Sequence, residues 1–440
     1  MLNLSTLELP NKFTFYSFMK KVILICCLIT GLISCSLTKK MILKNMNNTL
    51  SSTFYDNQFT GLLFIDGNSK DTLFSRNSDK YFTPASNTKI FTLYTALNTL
   101  PDKIPALRYL KQNDTLYIEG TGDPSFLHPY LKDSTAFYFL QQHKNIALHT
   151  GNFQDSSFGP GWSWDDYKYY YSPERSSFPM YGNVVMISNK VGTQVLPEYF
   201  KDSVVHVSNN KNREMHRNLF YFNANRTDTL EVPFKTGNTI LKNLLEKELN
   251  KKIKITKQMP KGQKKTLYGI KSDSLYVRLM HESDNFIAEQ LLLLSASETT
   301  DTLNSKLAIR NALENLLPNL PQQPRWVDGS GLSRYNLFTP QSMVHVLERI
   351  YDELPKERLF KIFPSEGESG TVDNWYGSNH APYLYAKSGS LGNNYCLSGY
   401  LLTKSGKTVI FSFMNNHFRQ PSSEVRLRMH QIFENIRDTY

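Results

Sequence analysis

Cysteine is scarce in this 440-residue chain: there are four, and Cys26, Cys27 and Cys35 all fall near the N-terminus. Cys396 alone remains for the rest, which excludes an internal disulfide framework and a cysteine-based metal cluster. Long apolar runs are missing beyond the N-terminus. The densest, Leu291 to Leu294, is far too short to cross a bilayer and reads as core helix. Internal repeats and low-complexity tracts are absent as well, so neither a solenoid nor a disordered chain is indicated. Acidic excess is lacking: 50 Lys and Arg face 39 Asp and Glu, a formal charge of +11 spread along the chain. A spread of this kind favours anionic surfaces and carboxylate-bearing ligands. Without zinc-finger spacing, a basic helix or an RNA-binding signature, it does not indicate nucleic acid.

Apolar residues at 40% and aromatics at 13% supply ample material for a packed core. The length fits one large domain with an insert, or two or three domains.

From Met19 the chain reads "MKKVILICCLITGLISCSLTKK". Two lysines precede an apolar run, Val22 to Ile33, that ends in small residues, the pattern of a signal peptide. "LISC" resembles a bacterial lipobox, whose cysteine, here Cys35, is lipidated and becomes the first mature residue. Residues 1–35 are therefore expected to direct export and to leave a lipid anchor at Cys35 on the periplasmic side of a membrane. An ordinary signal peptide with an incidental cysteine is the rival.

Residues 36–52 read as a polar linker. "GLLFIDGNSKDTLFSRN" is expected to form two strands around a turn, followed by a helical pattern from Ile90. Pro84 and Thr83 suit the first turn and cap of that helix. Between residues 101 and 262 short strand-like runs alternate with turns around a tryptophan-rich loop, "GPGWSWDDYKYYYSPE". Helical patterns return after Leu267. "PYLYAKSGSLG", "NYCLSGYLLT" and "KTVIFSFMNN" then read as strands, and a closing helix runs from about Ser422. These elements predict an α+β fold: an antiparallel sheet built from both chain ends (53–100 and 263–440), flanked by helices, with a β-rich insertion at 101–262.

Within "YFTPASNTKIFTLY", Ser86 and Lys89 stand three apart, one helical face. A serine hydroxyl becomes a nucleophile when a base takes its proton, and a lysine whose pKa is depressed by burial or a neighbouring cation can do so. S-x-x-K alone is common. "HESDNFIAEQ" adds Ser283-Asp284-Asn285 between two helical patterns, and "YAKSGSLGN" adds Lys387-Ser388-Gly389 on a strand.

Together these resemble the SxxK, SxN and K[ST]G motifs of the serine penicillin-recognising enzymes, in that chain order. The wide separation of the first two motifs, with "GTGDPSF", "PGWSWDD", "SEGESGTVDNW" and above all "VDGSGLSRYN", is similar to the penicillin-binding protein 4-type D-alanyl-D-alanine carboxypeptidases. The likeness extends over nearly the whole mature chain. It implies a β-lactamase/transpeptidase-like domain, a serine-type D-Ala-D-Ala carboxypeptidase with endopeptidase potential, and peptidoglycan stem peptides and β-lactam antibiotics as ligands. No cofactor and no metal are implied. Ser86 would be the acylated nucleophile and Lys89 its base, Ser283 a proton relay, and Asn285 an anchor for the substrate amide. Lys387 would hold positive potential, helping to depress the Lys89 pKa. Ser388 would bind the substrate carboxylate, Gly389 would let the substrate backbone lie on the strand, and the Ser86 and Ser390 N–H groups would form the oxyanion hole.

Other features compete. "LEKELN" carries Glu246 in a pattern by which some β-lactamases hold a deacylating water, but it precedes Ser283 and reads as a solvated helix face. His281-Glu282 opens like a zinc-protease motif, yet position 285 is asparagine. Asp165-Asp166 reads as a turn or cap rather than a metal or acid pair. Trp162 and Trp164 have two readings, groove lining or buried packing; Asp328 and Arg334 likewise, active-site rim or structural loop. A β-lactamase and a catalytically inactive cell-wall-binding lipoprotein are the rival functions.

Overall fold

The computed structural model describes residues 39–190, 192–208, 211–367, 369–372 and 382–440. The expected signal segment with Cys35 lies outside them.

Residues 39–50 form α1. Next come β1 (Phe59–Asp66), β2 (Thr72–Arg76) and α2 (Thr88–Thr99). The inserted region runs through β3 (Lys103–Gln112), β4 (Thr115–Gly120), α3 (Thr135–Gln141), β5 (Asn145–His149), β6 (Val184–Ser188), β7 (Gln194–Leu196), β8 (Val204–His206), β9 (Phe220–Phe222), β10 (Leu230–Pro233), α4 (Asn238–Leu249), β11 (Ile253–Thr256) and β12 (Lys265–Lys271). Then follow α5 (Ser272–His281), α6 (Asn285–Thr299), α7 (Ser305–Asn311), α8 (Pro340–Glu353), α9 (Lys356–Ile362), β13 (Leu384–Leu391), β14 (Asn394–Leu402), β15 (Thr408–Asn416) and α10 (Ser422–Thr439).

The main sheet has the order β13-β14-β15-β1-β2, with every pair antiparallel. The two chain ends meet where Phe64 pairs with Phe411, as the sequence patterns predicted. β14 and β15 are buried almost throughout, because helices cover both faces of the sheet. On one face α2, α5, α6 and α8 pack around Ile90, Leu291 and Leu347. On the other, α10 sets Met429 and Phe433 against Phe64 and Phe411. This second face also takes Ile42, Met46 and Leu50 of α1, all essentially buried. Residues 39–50 are thus a packed helix and not the linker expected there. Their apolar side chains recur every four residues and form one stripe.

The insertion builds a five-stranded sheet, β11-β5-β4-β3-β12, a three-stranded sheet, β10-β6-β7, and the pair β8-β9. They share a core around Leu107, Phe200, Phe220 and Leu245. Because β12 pairs with β3, this sheet system ends at Lys271, nine residues past the expected boundary of 262.

Candidate active site

Ser86 lies in a short 3-10 turn, Ala85–Asn87, directly before α2. The helix proper starts at Thr88, so Pro84 and Thr83 precede the turn instead of supplying the first turn and cap. Ala85 has φ 48°, the left-handed region that a non-glycine residue enters at a cost. The neighbouring loop supports that conformation. Gly331 (φ +84°) approaches so closely that an added Cβ would fall 1.9 Å from the Ala85 carbonyl oxygen. Ser283, between α5 and α6, is left-handed as well, with φ 54°. Asp284 caps α6 by accepting from the Ile287 N–H at 3.0 Å and is held by Arg278 Nε at 2.9 Å. Asn285 is then the first helical residue.

Lys89 is fully buried. Its Nζ is 3.0 Å from Ser86 Oγ, 2.6 Å from Asn285 Oδ1 and 2.6 Å from the Ser330 carbonyl oxygen. The other Asn285 amide atom, Nδ2, donates to the Tyr171 carbonyl at 2.9 Å, which fixes the side chain's orientation. Burial pulls the Lys89 amine down from 10.5 to about 8, against the carboxylates of Asp328, Glu289 and Asp284, which hold it up. Glu289, buried four residues beyond Asn285 on α6, is itself pushed up to about 7 by burial and by Asp328.

Lys387 is also fully buried, and its Nζ donates to the Ser388 carbonyl at 2.8 Å. Burial first, then the Lys89 charge, holds its amine well below the usual lysine range. The like-charge effect expected to act on Lys89 therefore acts on Lys387, while desolvation depresses Lys89. Asn87 Nδ2 donates to the Lys387 carbonyl at 2.7 Å and ties β13 to the nucleophile turn. The Ser388 and Thr371 hydroxyls are 2.7 Å apart. Thr371 is a site residue that the motifs do not include; its sequence signal is its place in "SEGESGTVDNW". At Gly389 an added Cβ would sit 2.5 Å from the Pro84 carbonyl oxygen and 3.0 Å from Ser86 N. The approach of β13 to the Ser86 turn thus requires a glycine at this position.

"VDGSGLSRYN" is organised by Asp328, which is wholly buried. Its carboxylate accepts from Gly331 N (2.9 Å), Ser333 N (2.7 Å), Asn336 Nδ2 (2.7 Å) and Trp162 Nε1 (2.9 Å). Asp328 is accordingly the loop's structural anchor and a charge that acts on Lys89; Trp162 is its hydrogen-bond partner. Trp164 is 75% exposed. Arg334 lines the main cleft and donates to the Gly392 carbonyl at 3.2 Å. Asp166 also lines it and accepts from the Tyr171 hydroxyl at 2.9 Å. Glu246 pairs with Lys242 and accepts from Ile253 N, within the inserted region and away from the cleft lining.

The cleft, about 1110 Å³, is lined by Ser86, Ser283, Asn285, Thr371 and Ser390 on one side. The insertion contributes Tyr130, Tyr171 and Glu231 on the other. The structure therefore brings together all three motifs, distant in sequence, around one serine. A serine beside a buried amine of lowered pKa, at the mouth of an open groove, is equipped for acyl transfer.

Residues 43–219 and 221–436 match the D-Ala-D-Ala carboxypeptidase 3 (S13) family, and the chain belongs to it. It is a serine-type carboxypeptidase of that family. The chain is 25% identical over 414 residues to a D-alanyl-D-alanine carboxypeptidase DacB of Haemophilus influenzae, covering 81% of this chain and 85% of that protein. A penicillin-sensitive carboxypeptidase A of Dictyostelium discoideum is 23% identical over 462 residues, with 87% and 88% covered. Among solved structures, penicillin binding protein 4 of Haemophilus influenzae superposes with a TM-score of 0.70 at 21% identity, covering 89% of this chain and 98% of that one. The α+β fold, an antiparallel sheet flanked by helices with a β-rich insertion, is the one expected.

Proposed function

We propose that this protein removes the terminal D-alanine of peptidoglycan stem peptides through an acyl-enzyme on Ser86. The observation that carries the reading is the buried Lys89 amine, 3.0 Å from Ser86 Oγ. Lys89 takes the Ser86 proton as Oγ bonds to the carbonyl carbon of the penultimate D-alanine. The resulting oxyanion is met by the Ser86 and Ser390 N–H groups. Ser283 passes a proton to the leaving nitrogen, the C–N bond breaks, and D-alanine departs. Asn285 holds the substrate amide, and the Ser388 hydroxyl binds the terminal carboxylate. Water then hydrolyses the ester. A β-lactam ring acylates Ser86 by the same attack and leaves a slowly released ester, as expected of a site in which Glu246 is remote.

DD-endopeptidase action on cross-linked stems belongs to the proposal as well, supported by a cleft of about 1110 Å³ that the insertion and the catalytic motifs line together. A Bdellovibrio bacteriovorus predatory peptidoglycan endopeptidase shares the fold, with a TM-score of 0.50 at 15% identity. Export to the periplasm and lipid anchoring at Cys35 complete the reading, supported by the "LISC" pattern.

Mass analysis of purified muropeptides before and after incubation tests this. Pentapeptides should lose one D-alanine and cross-linked dimers should give monomers. Unchanged pentapeptides would overturn the carboxypeptidase reading; unchanged dimers alone would remove the endopeptidase part.

A further inference from the structure

Beside Ser86 a second hollow of about 340 Å³ opens on the β13 side of the main cleft. Among the described residues its lining comprises seven hydroxyl-bearing residues, one arginine and no acid. Ser388, Ser390, Thr371 and Tyr395 contribute from β13, β14 and the segment before them; Ser422 and Arg426 contribute from α10. Those two are four apart, so one face of α10 looks into the hollow. Arg426 is half-buried and takes part in no hydrogen bond or ion pair with the described residues, whereas its neighbour Arg428 is stacked over Phe54 at 5.4 Å. Lys387 does not reach this lining: it is fully buried, with its Nζ on the Ser388 carbonyl.

From this we infer that Arg426 is a specificity-determining residue, a guanidinium that recognises the free α-carboxylate of the residue whose amine leaves. The inference rests on the carboxypeptidase reading and deepens it. A guanidinium among hydroxyls, with no partner and no competing acid among the described residues, selects a planar anion, which it grips through two parallel N–H···O bonds. The nucleophile sits on the same hollow, so the anion it holds lies next to the scissile amide. Substrates whose leaving amine carries an adjacent carboxylate, D-alanine or the D-centre of a diamino acid, satisfy that geometry. Cross-links made through a side-chain amine with no adjacent carboxylate do not.

The test compares an acetylated tripeptide ending in D-Ala-D-Ala with its C-terminal amide, using wild type, Arg426→Gln and Arg426→Lys. Wild type should prefer the acid, and Arg426→Gln should reduce that preference by about 10- to 100-fold, the loss typical of a hydrogen-bonded charge. Arg426→Lys should restore part of it, because the charge returns without the planar fork. An equal loss on both substrates, or no loss on either, overturns the inference. Wild type that releases neither leaving group sinks the underlying reading, and the inference with it.

Discussion

The Lys89 side-chain nitrogen stands 3.0 Å from Ser86 Oγ and 2.6 Å from two groups that can only accept, Asn285 Oδ1 and the Ser330 carbonyl oxygen. A neutral amine has two N–H bonds and one lone pair. As an ammonium, Lys89 donates to Ser86 Oγ, Asn285 and Ser330; on losing a proton it can keep its two N–H groups on Asn285 and Ser330 and offer its lone pair to the Ser86 hydroxyl, which can donate. The arrangement therefore accommodates the basic form of Lys89, and burial favours that form by bringing the pKa to about 8.

Activity should consequently rise with pH. The amine is a base only when unprotonated, so acylation by benzylpenicillin increases up to about pH 8 and levels above it. Lys89→Arg keeps the charge but stays protonated across this range, and should lose on the order of 10³-fold or more in rate. Stopped-flow acylation rates across pH check both. A flat profile in the wild type would contradict the assignment of Lys89 as base.

Glu289 tunes that base from behind. Its carboxylate raises the Lys89 pKa, and its Oε1 accepts from Ser330 N at 2.8 Å. Glu289→Gln keeps an acceptor for Ser330 and removes the charge. The rising limb of the pH–rate profile should move to lower pH in this variant, with the fold retained. A shift to higher pH, or none, would show that Glu289 does not act on Lys89.

Gly331 and Gly406 have nearly the same φ, +84° and +83°, but different surroundings. Around Gly406 nothing lies within 4 Å of an added Cβ, whereas at Gly331 the Ala85 carbonyl is 1.9 Å away. Gly406→Ala should cost about 1 kcal/mol, the left-handed backbone penalty alone. Gly331→Ala adds overpacking against the nucleophile turn, a further ~1–3 kcal/mol, and should slow acylation as well. Urea unfolding with parallel acylation assays separates the two effects.

If residues 39–50 were a linker, truncating Met46 would do nothing. Met46 is 1% exposed and packs in the core between α1, the main sheet and α10. Met46→Ala should destabilise the protein by about 2–5 kcal/mol. Denaturant unfolding of the full chain reads this directly.

Much of this site could be read in the sequence because each motif is local. S-x-x-K, S-D-N and K-S-G each occupy a few residues, and their chain order carried the likeness to a family. The charges that act on Lys89 were harder to see. For Asp328 the sequence allows both rim and structural loop, since nothing in "VDGSGLSRYN" indicates that its carboxylate faces inward. Glu289 has a sequence signal, its place one helical turn beyond Asn285. The left-handed backbones of Ala85 and Ser283 have no signature in residue type, because tertiary contacts such as Gly331 on Ala85 impose them. Polar residues between its apolar positions hid α1, although Ile42, Met46 and Leu50 show the helical period. The insertion's boundary shifted because β12 joins β3 across a long stretch of sequence, a pairing that periodicity alone does not reveal.

The most direct test of the central claim is where benzylpenicillin attaches. Proteolysis and mass spectrometry of the purified protein after incubation should place one penicilloyl ester on the peptide containing Ser86, and Ser86→Ala should carry none. An adduct on another residue, or an unmodified wild-type protein, would contradict the assignment of Ser86 as the acylated nucleophile.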